Sequence, residues 1–203
     1  MPSRIWPMVA VFTLAGCRIV SQQELAELKN PTASHVSQVE SAWQQKIVPQ
    51  IVSEAKPVAE LTQRFTASND FSALCQQYGY RTQEENPCVF SVHVTGSVTE
   101  VNTTSRSGKI TIKDISGKDV VVQIGPIIRG MALRDAYKGL SYQDFNDQVQ
   151  FGDYGRAIND LASADIQKIT LKPGDNVDIY GVFSAWDVPE TLPDITPARI
   201  TLP

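Results

Sequence analysis

The apolar period changes once along the chain, near residue 88, and that single change limits the fold more than any other feature. Leu25 and Leu28, then Val36, Val39, Trp43, Ile47, Ile51 and Ala55, recur mostly at spacings of three and four, the signature of helices with one apolar stripe. Pro49 and Pro57 should kink or segment this run, which Leu61, Phe65, Phe71 and Leu74 continue. Ser68 or Asn69 is the expected N-cap for the segment beginning at Asp70. From Val89 the period becomes two: Phe90, Val92, Val94 and Val98 alternate with Ser91, His93, Thr95 and Thr99, predicting a half-buried strand with an outward polar face and a bend at Gly96.

Ser105 to Lys109 and Ser116 to Lys118 read as turns, so Ile110, Ile112 and Ile115, then Val120 to Ile124, add two strands in a meander. Helical patterns follow over Gly130 to Tyr137, Tyr142 to Phe151 and Tyr154 to Ala164. After a turn at Lys172 to Asp175, Val177, Ile179, Gly181 and Phe183 form a fourth strand, and Ile195 to Leu202 a fifth. The expected class is α+β: N-terminal helices followed by an OB-fold-like five-stranded antiparallel barrel with a helical insert between strands 3 and 4. A bent first strand lets such a barrel close and removes exposed edges. An open α+β sandwich uses the same elements. The segments are residues 1–16, a leader; 17–87, a tether and helical region; and 88–203, the barrel with its insert.

The 203 residues, 42% hydrophobic with a formal net charge of −4, suffice for one sizeable core and offer no general attraction to phosphate backbones. Arg4 precedes an apolar stretch, Trp6 to Leu14, too short to span a bilayer, as in a secretory signal. It ends in Leu14-Ala15-Gly16-Cys17, which resembles the bacterial lipobox. That resemblance implies removal of residues 1–16 and acylation of Cys17, giving a lipid-anchored, periplasm-facing protein of the bacterial cell envelope; Arg18 in place of Asp implies the outer membrane. A conventional signal with an incidental Cys is the alternative. Export makes Cys75 and Cys88 an expected disulfide, the alternative being two free thiols.

Ile124 to Ala136 (IGPIIRGMALRDA), followed by Asp144 to Gln148 (DFNDQ) and Gly155 to Leu161 (GRAINDL), resembles a bacterial family of predicted periplasmic lipoproteins of unknown function. The likeness extends over most of the mature chain. It implies an envelope lipoprotein beside sugar-uptake systems, without an assigned activity. Read physically, Gly125-Pro126 ends the third strand. Arg129, Arg134, Asp135, Asp144, Asn146 and Gln148 are the candidate ligand- or partner-binding residues, with a guanidinium fork offered to a carboxylate or hydroxyl-rich ligand. The competing reading pairs Arg129 or Arg134 with Asp135, Asp144 or Asp147 to hold the insert in place. Asp144, Asn146 and Asp147 lack the glycine and distal Glu of a calcium loop.

Only His35 and His93 occur, in no metal, nucleophile or phosphate-loop arrangement, so neither catalytic residues nor a cofactor or metal is expected. Thr111, Lys113, Val121 and Gln123, on the outer face expected to bind oligonucleotides, include no stacking residue, which disfavours nucleic acid. The expectation is a non-catalytic binding or accessory module, linked to sugar uptake, whose partner is a protein or a small polar ligand such as a sugar or peptide. The alternatives are a cell-wall or carbohydrate hydrolase, and a structural component of an envelope assembly marked by an exposed apolar patch on the Trp43 to Ala55 helix.

Overall fold

The computed structural model describes residues 39–203. The leader, Cys17, His35 and the helix expected around Leu25 and Leu28 lie outside the described residues. A π-helical turn, Trp43–Ile47, runs directly into α1, Val48–Glu54. Pro49 lies within a run that is helical from residue 39, and the π-helical turn just before it marks the expected segmentation at a position whose missing N–H cannot bond back. A two-residue strand β1, Lys56–Pro57, precedes α2, Val58–Ala67, and α3, Phe71–Tyr78. The N-cap of α3 is Asp70, which accepts from the Ala73 N–H at 3.0 Å; Ser68 instead accepts from the Asp70 N–H.

The barrel comprises β2, Cys88–Asn102; β3, Lys109–Asp114; β4, Asp119–Gln123; β5, Asn176–Ala185; and β6, Thr196–Thr201. Their order is β4-β3-β2-β5-β6, and the four neighbouring pairs are antiparallel. The sheet curls until its ends meet: Val122 forms a parallel bridge with Ile195, the Gln123 N–H donates to the Ile195 carbonyl, and the Ile195 N–H to that of Val121, both at 2.9 Å. This closure satisfies two edges that would otherwise recruit other strands.

Bending of β2 makes the closure possible. Cys88 to Ser97 pair with β5, while Gly96 to Asn102 pair with β3, with a register shift between Val98 and Glu100. A Cβ at Gly96 would lie 2.2 Å from the Lys113 carbonyl oxygen, so the strands can approach there only because the side chain is absent. The edge of β2 that β3 leaves is occupied by β1, parallel beside Val92 and His93, and by a bridge from Tyr80 to Val89. The N-terminal helices thereby cover the first half of β2. Ser91 is consequently buried rather than on an outward polar face.

Three further expectations change in detail. Ile115 lies in the β3–β4 turn, 81% exposed, because the Asp114 carboxylate accepts from the Ser116 and Lys118 N–H groups and ends the strand. The helix expected over Gly130 to Tyr137 is the five-residue α4, Ala132–Ala136. A 3-10 turn, Tyr142–Asp144, precedes one continuous α5, Gln148–Ile166, which passes through Gly152 and Gly155 where two helices were expected.

A single apolar core joins both regions. Phe90 and Phe183, register partners on β2 and β5, stack at 5.3 Å, and Phe65 of α2 meets Phe90 edge-on at 5.2 Å. Trp43, Ile47 and Ile51 are almost wholly buried in the same core. Each such side chain contributes roughly 1.5–3 kcal/mol through burial. The apolar stripe of the Trp43 to Ala55 helix is therefore covered internally rather than presented as a patch.

Candidate functional site

A groove of about 630 Å³ opens between the loop preceding β2 and the helical insert. Arg81, Thr82, Gln83, Asn86 and Pro87 form one wall; Arg134, Asp135, Tyr137, Tyr142, Gln148 and Phe151 are among the residues of the other.

The first wall is held by a covalent staple. Cys75 in α3 and Cys88 at the start of β2 form the expected disulfide, with Cα atoms 5.9 Å apart. Between them, Tyr80 exchanges two 2.8 Å backbone hydrogen bonds with Val89. Arg81 donates from Nη1 to the Glu84 carbonyl and from Nη2 to Ser72 Oγ, both at 3.2 Å, and Asn86 Nδ2 donates to Thr82 Oγ1 at 2.6 Å. The loop is thus bonded to itself rather than draped over solvent.

The second wall is set by a polar stripe on α5. Asn159, Ser163 and Gln167, spaced by four, share one helical face. They donate to the carbonyls of Gly130 at 2.8 Å, Gly125 at 3.4 Å and Ile124 at 2.9 Å. Gln123, expected on an outer face, is buried instead: it accepts from the Arg129 N–H at 2.8 Å and donates to Thr196 Oγ1 at 3.0 Å. The Ile124 to Gly130 run is thereby pinned between the barrel and α5, which delivers α4 to the groove.

Of the six candidates, Arg134, Asp135 and Gln148 meet at the groove. Arg134 donates from Nε to Asp135 Oδ1 at 2.8 Å, its Nη2 lies 2.7 Å from the same oxygen, and its guanidinium lies 3.8 Å from the centre of the Phe151 ring. Burial pushes the Asp135 carboxyl above its ordinary range, with the Arg134 charge and hydrogen bond opposing that rise. Gly155 makes the arrangement possible, since a Cβ there would lie 3.1 Å from Arg134 Cδ and 2.7 Å from Met131 Sδ.

The other three serve local structure. Arg129 donates from Nε to Ser107 Oγ at 3.0 Å. Asp144 accepts from the Ser141 N–H and hydroxyl, a capping box that holds its carboxyl below the usual range. Asn146 donates to Gln150 Oε1, while Asp147 caps α5 by accepting from the Gln150 N–H at 2.8 Å. Among the described residues, no group of three or more His, Cys, Asp or Glu could hold a metal ion. His93 stacks on Tyr180 at 4.3 Å and bonds Asp178, away from the groove lining.

Sequence reasoning missed the first wall. The strongest available signal was an arginine, Arg81, inside a polar loop bracketed by two cysteines. Tyr137, Tyr142 and Phe151 also escaped notice, because their convergence depends on how the insert folds back.

Fold and site together define a closed OB-type barrel whose helical insert and disulfide-stapled loop enclose a polar, aromatic groove. Residues 7–201 match the family described as predicted periplasmic lipoprotein (DUF2291), and the chain belongs to that family. An OB-fold protein from Thermotoga maritima, of known crystal structure, superposes with a TM-score of 0.65 over 83% of this chain and 98% of its own, at 12% sequence identity. That likeness establishes the fold. No curated protein is detectably similar to the chain.

Proposed function

We propose that the protein is a lipid-anchored envelope module that binds a small polar ligand, a saccharide above all, in the groove between the disulfide loop and the insert. The observation that carries this reading is the lining: Tyr137, Tyr142 and Phe151 offer apolar ring surface beside the hydrogen-bonding groups of Arg81, Gln83, Asn86 and Gln148. A few convergent polar groups beside aromatic rings suit a ring-shaped polyol. The cavity lies within the roughly 300–1,000 Å³ usual for small-molecule sites.

Non-catalytic binding is favoured over hydrolysis because Asp135 is the sole carboxylate among the described lining residues, and its Oδ1 is held by Arg134. Glycoside hydrolysis ordinarily requires two carboxylates flanking the scissile bond. Trp43 and Gln44 join Asp165 at the end of α5, whereas the groove lies at its beginning. At 1.5 Å per residue these ends are about 25 Å apart.

Calorimetric titration of the mature lipoprotein in detergent with mono- and disaccharides tests the reading. Saturable binding that Tyr142→Ala and Phe151→Ala weaken is expected; no heat from any saccharide, or binding untouched by both substitutions, would refute it. Anchoring has its own test: acyl-chain labelling should be present in the wild type and lost in Cys17→Ser, and an unlabelled wild type would remove the anchor from the proposal.

A further inference from the structure

We infer that the groove selects saccharides carrying an anionic group, a carboxylate or a phosphate, held between the guanidinium groups that Arg81 and Arg134 contribute from its two walls. The inference rests on the binding reading above and adds the charge of the ligand.

Charge is the first observation. The chain carries a formal −4, yet the groove lining contains two arginines and one carboxylate. Asp144 and Asp147 are occupied as caps, and neither lines the groove; Glu84 and Glu85, exposed in the loop that carries Arg81, are not among the lining residues either. With Asp135 paired to Arg134, the lining keeps one excess positive charge, at Arg81, which favours an anion in the groove.

Unused donors are the second. An arginine has five N–H groups. Arg81 directs one from Nη1 and one from Nη2 to protein acceptors, leaving Nε and two further N–H groups. Arg134 directs Nε and Nη2 to Asp135 Oδ1, and Nη1 makes only a 3.5 Å contact with the Phe151 carbonyl. Each guanidinium is thus oriented by the protein with donors to spare, the state required for charge-assisted hydrogen bonds to carboxylate or phosphate oxygens.

The hydroxyl-bearing part of the ligand has its own partners. Both Arg134 bonds fall on Asp135 Oδ1, so Oδ2 can accept from a hydroxyl. Tyr142, half exposed and backed edge-to-face by Phe151 at 5.7 Å, offers a ring surface for the sugar's C–H face. An inorganic anion would use the arginines but not these rings.

The test is calorimetric titration of the mature lipoprotein in detergent with matched ligands: glucose, glucuronate and glucose 6-phosphate; galactose and galacturonate. At least one acid should bind tenfold or more tightly than its neutral counterpart, and the tighter of glucuronate and glucose 6-phosphate identifies the anion. Arg81→Gln and Arg134→Gln should each reduce that preference about tenfold, the affinity for the acid falling further than that for its neutral counterpart; a preference unchanged in both variants would overturn the inference. Should Arg134→Gln unfold, Arg81→Gln, which leaves the Arg134–Asp135 pair intact, decides alone. Neutral sugars binding as tightly as their acids would overturn the inference and spare the binding reading. Binding of no saccharide at all would overturn both.

Discussion

Trp43 donates its indole N–H to Asp165 Oδ2 at 2.8 Å, tying the π-helical turn to the last turn of α5 across 122 residues of sequence. Gln44 donates to the same oxygen at 3.0 Å and Lys168 to Oδ1 at 2.7 Å. Partial burial acts to raise the Asp165 carboxyl, but hydrogen bonds from Lys168, Trp43 and Gln44, with the Lys168 charge, outweigh it and hold the group below its usual range. A carboxyl depressed by folding contributes stability that is fully present above its unfolded pKa, about 4, and is lost as pH falls through the folded value. Asp165→Asn should therefore lower stability at pH 7 by about 1 kcal/mol and flatten the stability loss below pH 4. Urea denaturation at several pH values between 2 and 7 checks both; an unchanged acid limb would contradict the assignment.

The disulfide connects a stability term to the groove. Cys75 and Cys88 stand 13 positions apart, and a loop of that size contributes about 3 kcal/mol when closed. Cys75→Ser with Cys88→Ser should lower the urea midpoint accordingly. It should also weaken ligand binding beyond what the stability change explains, because Arg81 and Asn86 lie on the released loop. Calorimetry well below the unfolding transition separates the two effects.

Two glycines of the third-strand exit separate backbone conformation from close packing. Gly130 has φ +82°, with nothing within 4 Å of the position a Cβ would take. Gly130→Ala should cost about 1–2 kcal/mol, the penalty of the left-handed region for an L residue. Gly125 has no such φ, but its Cβ would sit 2.2 Å from the Gly108 nitrogen and 2.3 Å from the Arg106 carbonyl oxygen. Backbone cannot yield as a side-chain tip does, so Gly125→Ala should cost several-fold more. Equal costs by chemical denaturation would contradict this account.

What could be read from the sequence divides along the range of the interactions involved. Alternating Val92, Val94 and Val98, and the turns around Gly117 and Gly174, are local signals, and the strands fall where these place them. The Cys75–Cys88 pair was legible from compartment and parity. Faces set by distant neighbours were not: Ser91 and Gln123 read as outward because nothing local announces that α1 to α3 cover one and Thr196 receives the other. Arg134 and Asp135 were identifiable as an unusual charged run, yet their meeting with Arg81 spans more than fifty residues and depends on the insert folding back on the stapled loop.

Gly155 governs how Arg134 lies, and that dependence can be tested apart from any ligand. In Gly155→Ala the added methyl gains helix propensity of about 1 kcal/mol. It also enters the space taken by Met131 Sδ and Arg134 Cδ. Both side chains are flexible enough to move, so overall stability should change little while Arg134 is pushed from its place over Phe151. The Asp135 carboxyl, already raised by burial and restrained by Arg134, should then titrate higher still. Carboxyl-carbon NMR across the acid range reads that shift at a single residue. If Asp135 titrates as in the wild type, then Arg134 reaches it without help from Gly155, and the small residue at this point of α5 has a different cause.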